Sequence, residues 1–224
     1  DSPEEAAKAV RYQHKYGADL IKFTATGGVL SINDSGDAQQ FSDDEMQTIV
    51  QTAHLLGIRV AAHAHGKRGM EAAIRAGVDS IEHGTYLDEE TIALFKKHGT
   101  YYVPTILAGK TVEEMAKKPG ALHPSVREKA ARIGPLIQSA FARAWKGGVK
   151  IAFGTDSGVS AHGENGREFG YMVEAGMPAM QAILSATRSA ADLLGAADSV
   201  GSIQPGRYAD VIAVASDPLT DITE

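Results

Sequence analysis

The sequence predicts an α/β fold built on parallel strands, and three observations carry that prediction. Apolar, strand-like runs near residues 20, 60, 80, 101 and 151 alternate with stretches of helical period. Glycines at 17, 57, 77 and 99 stand where each helix must stop before the next strand begins. Three of the strands lead into a histidine or an aspartate, at His63, His83 and Asp156. Strands alternating with crossover helices form one parallel sheet. An open doubly wound sheet would satisfy the alternation too, but no glycine-rich phosphate loop of the G-x-G-x-x-G or P-loop type is present. The pattern therefore reads as part of a TIM-type (β/α) barrel, about the last five of its eight units, followed by the start of a small β domain. The expected division is barrel over residues 1–197 and small-domain strands over 198–224.

Each element has a local reason. Asp1 or Ser2 caps a helix over 3–16, with Pro3 at its first position and Glu4 and Glu5 in its first turn. Asp19–Thr24 is a strand. Residues 29–42 form a polar loop, long enough to suggest function. Ser42 and Glu45 make a capping box for a helix that ends near Leu56. Strand 58–63, helix 67–76, the strand ending at His83, helix 88–98 and strand 100–104 follow. Residues 105–147 hold a Pro119-Gly120 turn and one long helix, 124–146, bent at Gly134-Pro135. Strand 149–154, a glycine-rich loop at 157–166, and helices near 165–175 and 178–194 come next. Residues 200–214 read as two short strands around Pro205-Gly206.

Composition bounds the function. With 43% hydrophobic residues and 24 glycines among 224, the chain can bury a sizeable core. A net charge of −6 argues against nucleic-acid or acidic-membrane partners. No apolar run reaches membrane-spanning length. Without a secretory signal at Asp1–Glu5, a soluble, cytoplasmic protein is expected, and homo-oligomers stay open. Cysteine is absent, so a metal must be held by imidazole and carboxylate, a donor set that suits zinc.

His63 and His65 are separated by one residue and share a side of the strand if it continues that far. His83 ends the neighbouring strand. Asp156 lies at the end of another, where it reads either as a turn aspartate or as a metal ligand and proton acceptor. Lys22, between Ile21 and Phe23, reads either as an edge-strand residue or as an amine in an apolar site with depressed basicity. A neutral amine there can form a Schiff base or add CO2 to give a carbamate. Arg68 and His162 follow ligand-bearing strands and are candidates to bind a substrate carboxylate.

Ile21-Lys22-Phe23-Thr24-Ala25-Thr26-Gly27-Gly28, His63-Ala64-His65-Gly66, Ile81-Glu82-His83-Gly84 and Gly154-Thr155-Asp156-Ser157-Gly158 resemble the amidohydrolase superfamily, in its Xaa-Pro dipeptidase (prolidase)-like and imidazolonepropionase-like branch. The tail from Gly201 to Asp210 resembles that family's return to a small β domain. The resemblance implies a binuclear metal site, with Lys22 as a CO2-carboxylated bridging ligand, His63 and His83 on one metal, and Asp156 as last-strand ligand and catalytic proton acceptor. His65 is implied on the substrate side. The family's first-strand His-x-His pair has no counterpart before Lys22. The expectation is thus a C-terminal portion whose partner is an N-terminal segment of the same protein. The implied activity is metal-dependent hydrolysis of C–N bonds in dipeptides or N-acyl amino acids. A Schiff-base lyase using Lys22 and a non-catalytic binding module are the alternatives.

Overall fold

The computed structural model describes residues 2–32 and 35–224. Four parallel strands form its sheet in the order β1 (Leu20–Thr24), β2 (Arg59–Ala64), β3 (Ser80–His83), β4 (Tyr101–Val103). The crossovers are α2 (Asp43–Leu55), α3 (Lys67–Ala76) and α4 (Glu89–His98), and α1 (Pro3–Lys15) leads into β1. Ser2 accepts from the Glu5 amide to cap α1; Asp1 lies outside the described residues. The Ser42–Glu45 capping box is formed in both directions. Gly77 and Gly99 close α3 and α4 in the left-handed conformation, where a side chain would strain the turn.

Strand alternation splits the sheet into two faces. Ile21, Phe23, Val60, Ala62, Ala64, Ile81 and Tyr102 are buried in one core with Met46, Ile49, Met70, Ile74 and Phe95 of the crossover helices. Lys22 and Thr24 on the opposite face are exposed, and His63 and Glu82 are half-buried. In register, Thr24 stands beside His63 and Ala64 beside His83. The chemistry-bearing residues therefore gather at the C-terminal ends of the strands.

Five sequence expectations are corrected. The strand at 149–154 is only a single parallel bridge, Tyr102 to Ile151. Its ladder stops because Pro104, which follows β4, has no amide to offer the Ala152 carbonyl; the Phe153 amide, on the other edge, meets the Ser185 carbonyl oxygen at 3.1 Å. That carbonyl belongs to a π turn (Ser185–Ser189), which divides the expected helix at 178–194 into α9 (Ala179–Leu184) and α10 (Ala190–Leu193). Residues 105–123 contain an unforeseen helix, α5 (Ile106–Lys117). The long helix at 124–146 is two helices, α6 (Pro124–Ile133) and α7 (Leu136–Lys146), since Pro135 has no amide with which to continue the ladder. After α8 (Arg167–Glu174), α9 and α10, the chain from 198 to 224 consists of turns and bends without a strand among its residues. A lone two-stranded piece is marginal, and Ile203, Tyr208, Val211 and Ile212 there are exposed. Among the described residues no helix is long and apolar enough to cross a membrane.

Gly66 joins this frame to the site. A Cβ there would collide with the backbone carbonyl of Asp37, in the loop between β1 and α2. Gly66→Ala is expected to destabilise the protein by about 1–3 kcal/mol, the usual cost of overpacking. Chemical denaturation checks this; an unchanged midpoint would show that the loop yields freely.

Candidate metal centre

His63, His65 and His83 come together at the end of β2 and β3. Their ring centroids are 4.6 to 5.0 Å apart, and one nitrogen from each lies within 4.8 Å of the others. His65 and His83 are buried, with their rings stacked at 16°. Burial is the largest influence on all three. It pushes His63 below the ordinary histidine value, His65 down to about 3 and His83 well down, and the neighbouring imidazoles and lysines add to this for the latter two. Neutral imidazoles crowded without bonding one another are the form in which histidine binds a metal. The donor set therefore fits a divalent ion.

Threonines hold two of the rings. Thr85 Oγ1 lies 2.8 Å from His65 Nδ1, and Thr105 Oγ1 lies 2.7 Å from His83 Nδ1. The backbone at His83 is left-handed, with φ 72°, and its carbonyl accepts from the buried Tyr102 hydroxyl at 2.7 Å. His63 is braced differently, with Nε2 3.3 Å from the Gly27 carbonyl oxygen.

Asp156 lines the same cavity as the three histidines. It is exposed, with a left-handed backbone of φ 54°. Lys22 sits on the adjacent strand, opposite Ala61 and two positions before the level of His63. Its charge opposes protonation of both His63 and His83. The apolar burial expected for Lys22 is absent, because it projects from the open face of the sheet and is exposed. Glu82, which the sequence reading did not single out, stands beside His63 in the β2–β3 register. Burial raises its carboxyl above the usual range, against a hydrogen bond from Ser80 at 2.7 Å.

Arg68 and His162 are not brought to the site. Both are exposed and neither lines the cavity. Arg68 lies on the outer side of α3, where Gly69 and Met70 take the inward positions. His162 lies in the outer part of a loop whose Asn165 turns in to Thr155 and Ser157. The cavity itself measures about 340 Å³, and Val29, Leu30, Val112, Ile137 and Val159 wall it. A second acidic group, Glu71, Asp88 and Glu90, is closed by the Lys67 amine, which pairs with all three at 2.7 to 3.6 Å.

Comparison with known proteins agrees with this architecture. A crystal structure of an Xaa-Pro dipeptidase with methionine bound in its active site superposes with a TM-score of 0.98 at 53% identity, covering 100% of this chain and 55% of that one. The crystal structure of Aspergillus niger ochratoxinase superposes with a TM-score of 0.90 at 38% identity, over 99% of this chain and 50% of that one. In sequence, Aspergillus niger ochratoxinase is 40% identical over 229 aligned residues, 99% of this chain and 46% of that protein. The chain thus spans about half the length of the curated relatives it matches. The parallel α/β arrangement is accordingly part of an amidohydrolase barrel. The family model "Amidohydrolase family" matches residues 1–224, and this chain belongs to that family.

Proposed function

We propose that this chain carries the hydrolytic site of a metal-dependent enzyme that cleaves C–N bonds, amide or peptide, in dipeptides or N-acyl amino acids. The observation that carries this reading is the cluster of three neutral imidazoles at the strand ends, opening on a cavity that Asp156 also lines. His63, His83, Asp156 and the CO2 adduct of Lys22 are the residues that would hold the metal, for which zinc suits the donors. Bound there, a divalent ion supplies Lewis acidity and makes a water nucleophilic near neutral pH. Asp156 takes the proton of the attacking water and returns it to the leaving nitrogen. We assign His65 to the substrate side of the cluster.

The apolar cavity wall favours an apolar substrate side chain. The Xaa-Pro dipeptidase relative, crystallised with methionine, and ochratoxinase frame the substrate classes to try. The lyase reading has less support, since Schiff-base chemistry at Lys22 leaves the clustered imidazoles and Asp156 without a task.

The test is metal analysis of the full-length protein, followed by hydrolysis of N-acyl amino acids of graded side-chain length. Each added buried methylene contributes about 0.8 kcal/mol, roughly fourfold in kcat/KM. A metal-free, fully active protein would overturn the metal-dependent reading, and a metal-loaded protein that hydrolyses none of these substrates would overturn the hydrolase reading. A preference for charged side chains would overturn the apolar one.

A further inference from the structure

We infer that Thr105 and Glu168 form a positioning pair that presents His83 to the metal site, with Glu168 acting through the helix cap that Thr105 gives up. The inference rests on the proposed metal-binding role of His83.

Thr105 is the N-cap residue of α5. A threonine in that place ordinarily turns its hydroxyl back to accept from an amide in the first helical turn. Here it makes no such bond. Its Oγ1 instead meets His83 Nδ1 at 2.7 Å, and both residues are buried. The backbone at Thr105 is left-handed, φ 53°, a conformation costly for a β-branched residue. Strain and a forgone cap both accompany the contact with His83.

The deserted amides are not left orphaned. Glu168, on α8 and fully buried, accepts from the Ile106 amide at 2.8 Å through one carboxylate oxygen and from Leu107 at 2.6 Å through the other. A carboxylate at a helix N-terminus also complements the helix dipole. Burial raises Glu168 to about 7, so the ionised form is costly yet has two amides to receive it. Glu168 thus caps α5 from another helix, and Thr105 is left to serve the histidine.

The contact has a chemical direction. With the Nδ1 proton donated to Thr105 Oγ1, the Nε2 lone pair of His83 is free for a metal. The opposite tautomer would place a proton on Nε2. Partners that fix the tautomer of a metal-binding imidazole commonly change metal affinity by 10–100-fold when removed. Glu168 lies shortly after the loop that follows Asp156, so it also ties that loop's outgoing helix to the His83 side of the site.

The experiment uses full-length protein at pH 8.5, with Thr105→Val, Thr105→Ser, Glu168→Gln and the Thr105→Val/Glu168→Gln double variant. Valine keeps the branched shape, and serine keeps the hydroxyl. Nitrogen-15 NMR of the histidines in metal-free protein reads the tautomer of His83 directly, and zinc competition against a chelator reads affinity. The expected result is an Nδ1–H tautomer in wild type and Thr105→Ser, and a mixed population in Thr105→Val. Zinc affinity should fall about 10–100-fold in Thr105→Val and less in Glu168→Gln. The double variant should match Thr105→Val alone, because Glu168 acts through Thr105. An Nε2–H tautomer in folded wild type, or unchanged affinity in Thr105→Val, would overturn the role of Thr105. Additive losses would overturn the coupling to Glu168. Wild type that binds no zinc yet shows the Nδ1–H tautomer and its loss in Thr105→Val would instead sink the metal reading while leaving the contact standing.

Discussion

Asp156→Asn is expected to lower kcat by about 10²–10⁴-fold, the range in which a positioned acid–base group acts, with the fold intact. The left-handed backbone at Asp156, φ 54°, is one that asparagine adopts about as readily as aspartate. The side chain is exposed and lines the cavity rather than supporting the core. The substitution therefore removes a proton acceptor without a backbone penalty or a packing void. An amide oxygen still offers a lone pair to a cation, so metal content should fall less than turnover. Kinetics alongside metal analysis and a thermal melt separate these effects. Wild-type kcat in the variant would remove Asp156 from the chemistry. A large loss of thermal stability would make its role structural.

How much of this was legible in the sequence follows from the range of the interactions involved. His63 and His83 are legible because strand period and glycine stops are local, and in a parallel sheet strand ends converge by topology alone; Asp156 is legible from the glycines beside it, Gly154 and Gly158, since the run before it forms one bridge only. The capping box at Ser42 and Glu45 was readable for the same reason. Local patterning does not single out helix α5, although Ile106, Gly109, Val112 and Ala116 are spaced to share an inner face. Thr105 stands before Ile106 as an N-cap residue type, but its hydroxyl meets His83 and the cap itself comes from Glu168, 62 residues from the Ile106 amide it receives. No local pattern announces a bond of that length. The strand at 149–154 shrinks to one bridge because its neighbour β4 is followed by Pro104, which has no amide to offer Ala152, and the run 149–154 by itself does not show which strand it will meet. Arg68 and His162 follow ligand-bearing strands in sequence, but helix phase and loop path turn them outward. The sequence puts Lys22 in a strand, β1, and the structure puts it on the face that carries His63. Its surroundings depended on what covers that face, which strand alternation does not specify.

Lys22→Ala is expected to strip the site of most of its metal and to lower activity by at least about 10³-fold, as members of a catalytic unit do when removed singly. Small carboxylates such as acetate or propionate should restore part of both. The reason is electrostatic. As an ammonium, Lys22 opposes added positive charge on His63 and His83, and it would oppose a divalent cation in the same place. Addition of CO2 turns that cation into an anion with two oxygen donors, a change of two charges at a fixed point of the strand. Alanine removes the donor and leaves room for a carboxylate of similar charge. Lys22→Arg sharpens the test, since it keeps the positive charge, cannot be carboxylated at ordinary pH and fills the space; added carboxylates should not rescue it. Metal stoichiometry and turnover, each with and without added acid, are the measurements. Full metal content in Lys22→Ala would exclude the ligand role. Borohydride trapping of substrate on Lys22 in metal-free protein would transfer the residue to Schiff-base chemistry, and with it the reaction class.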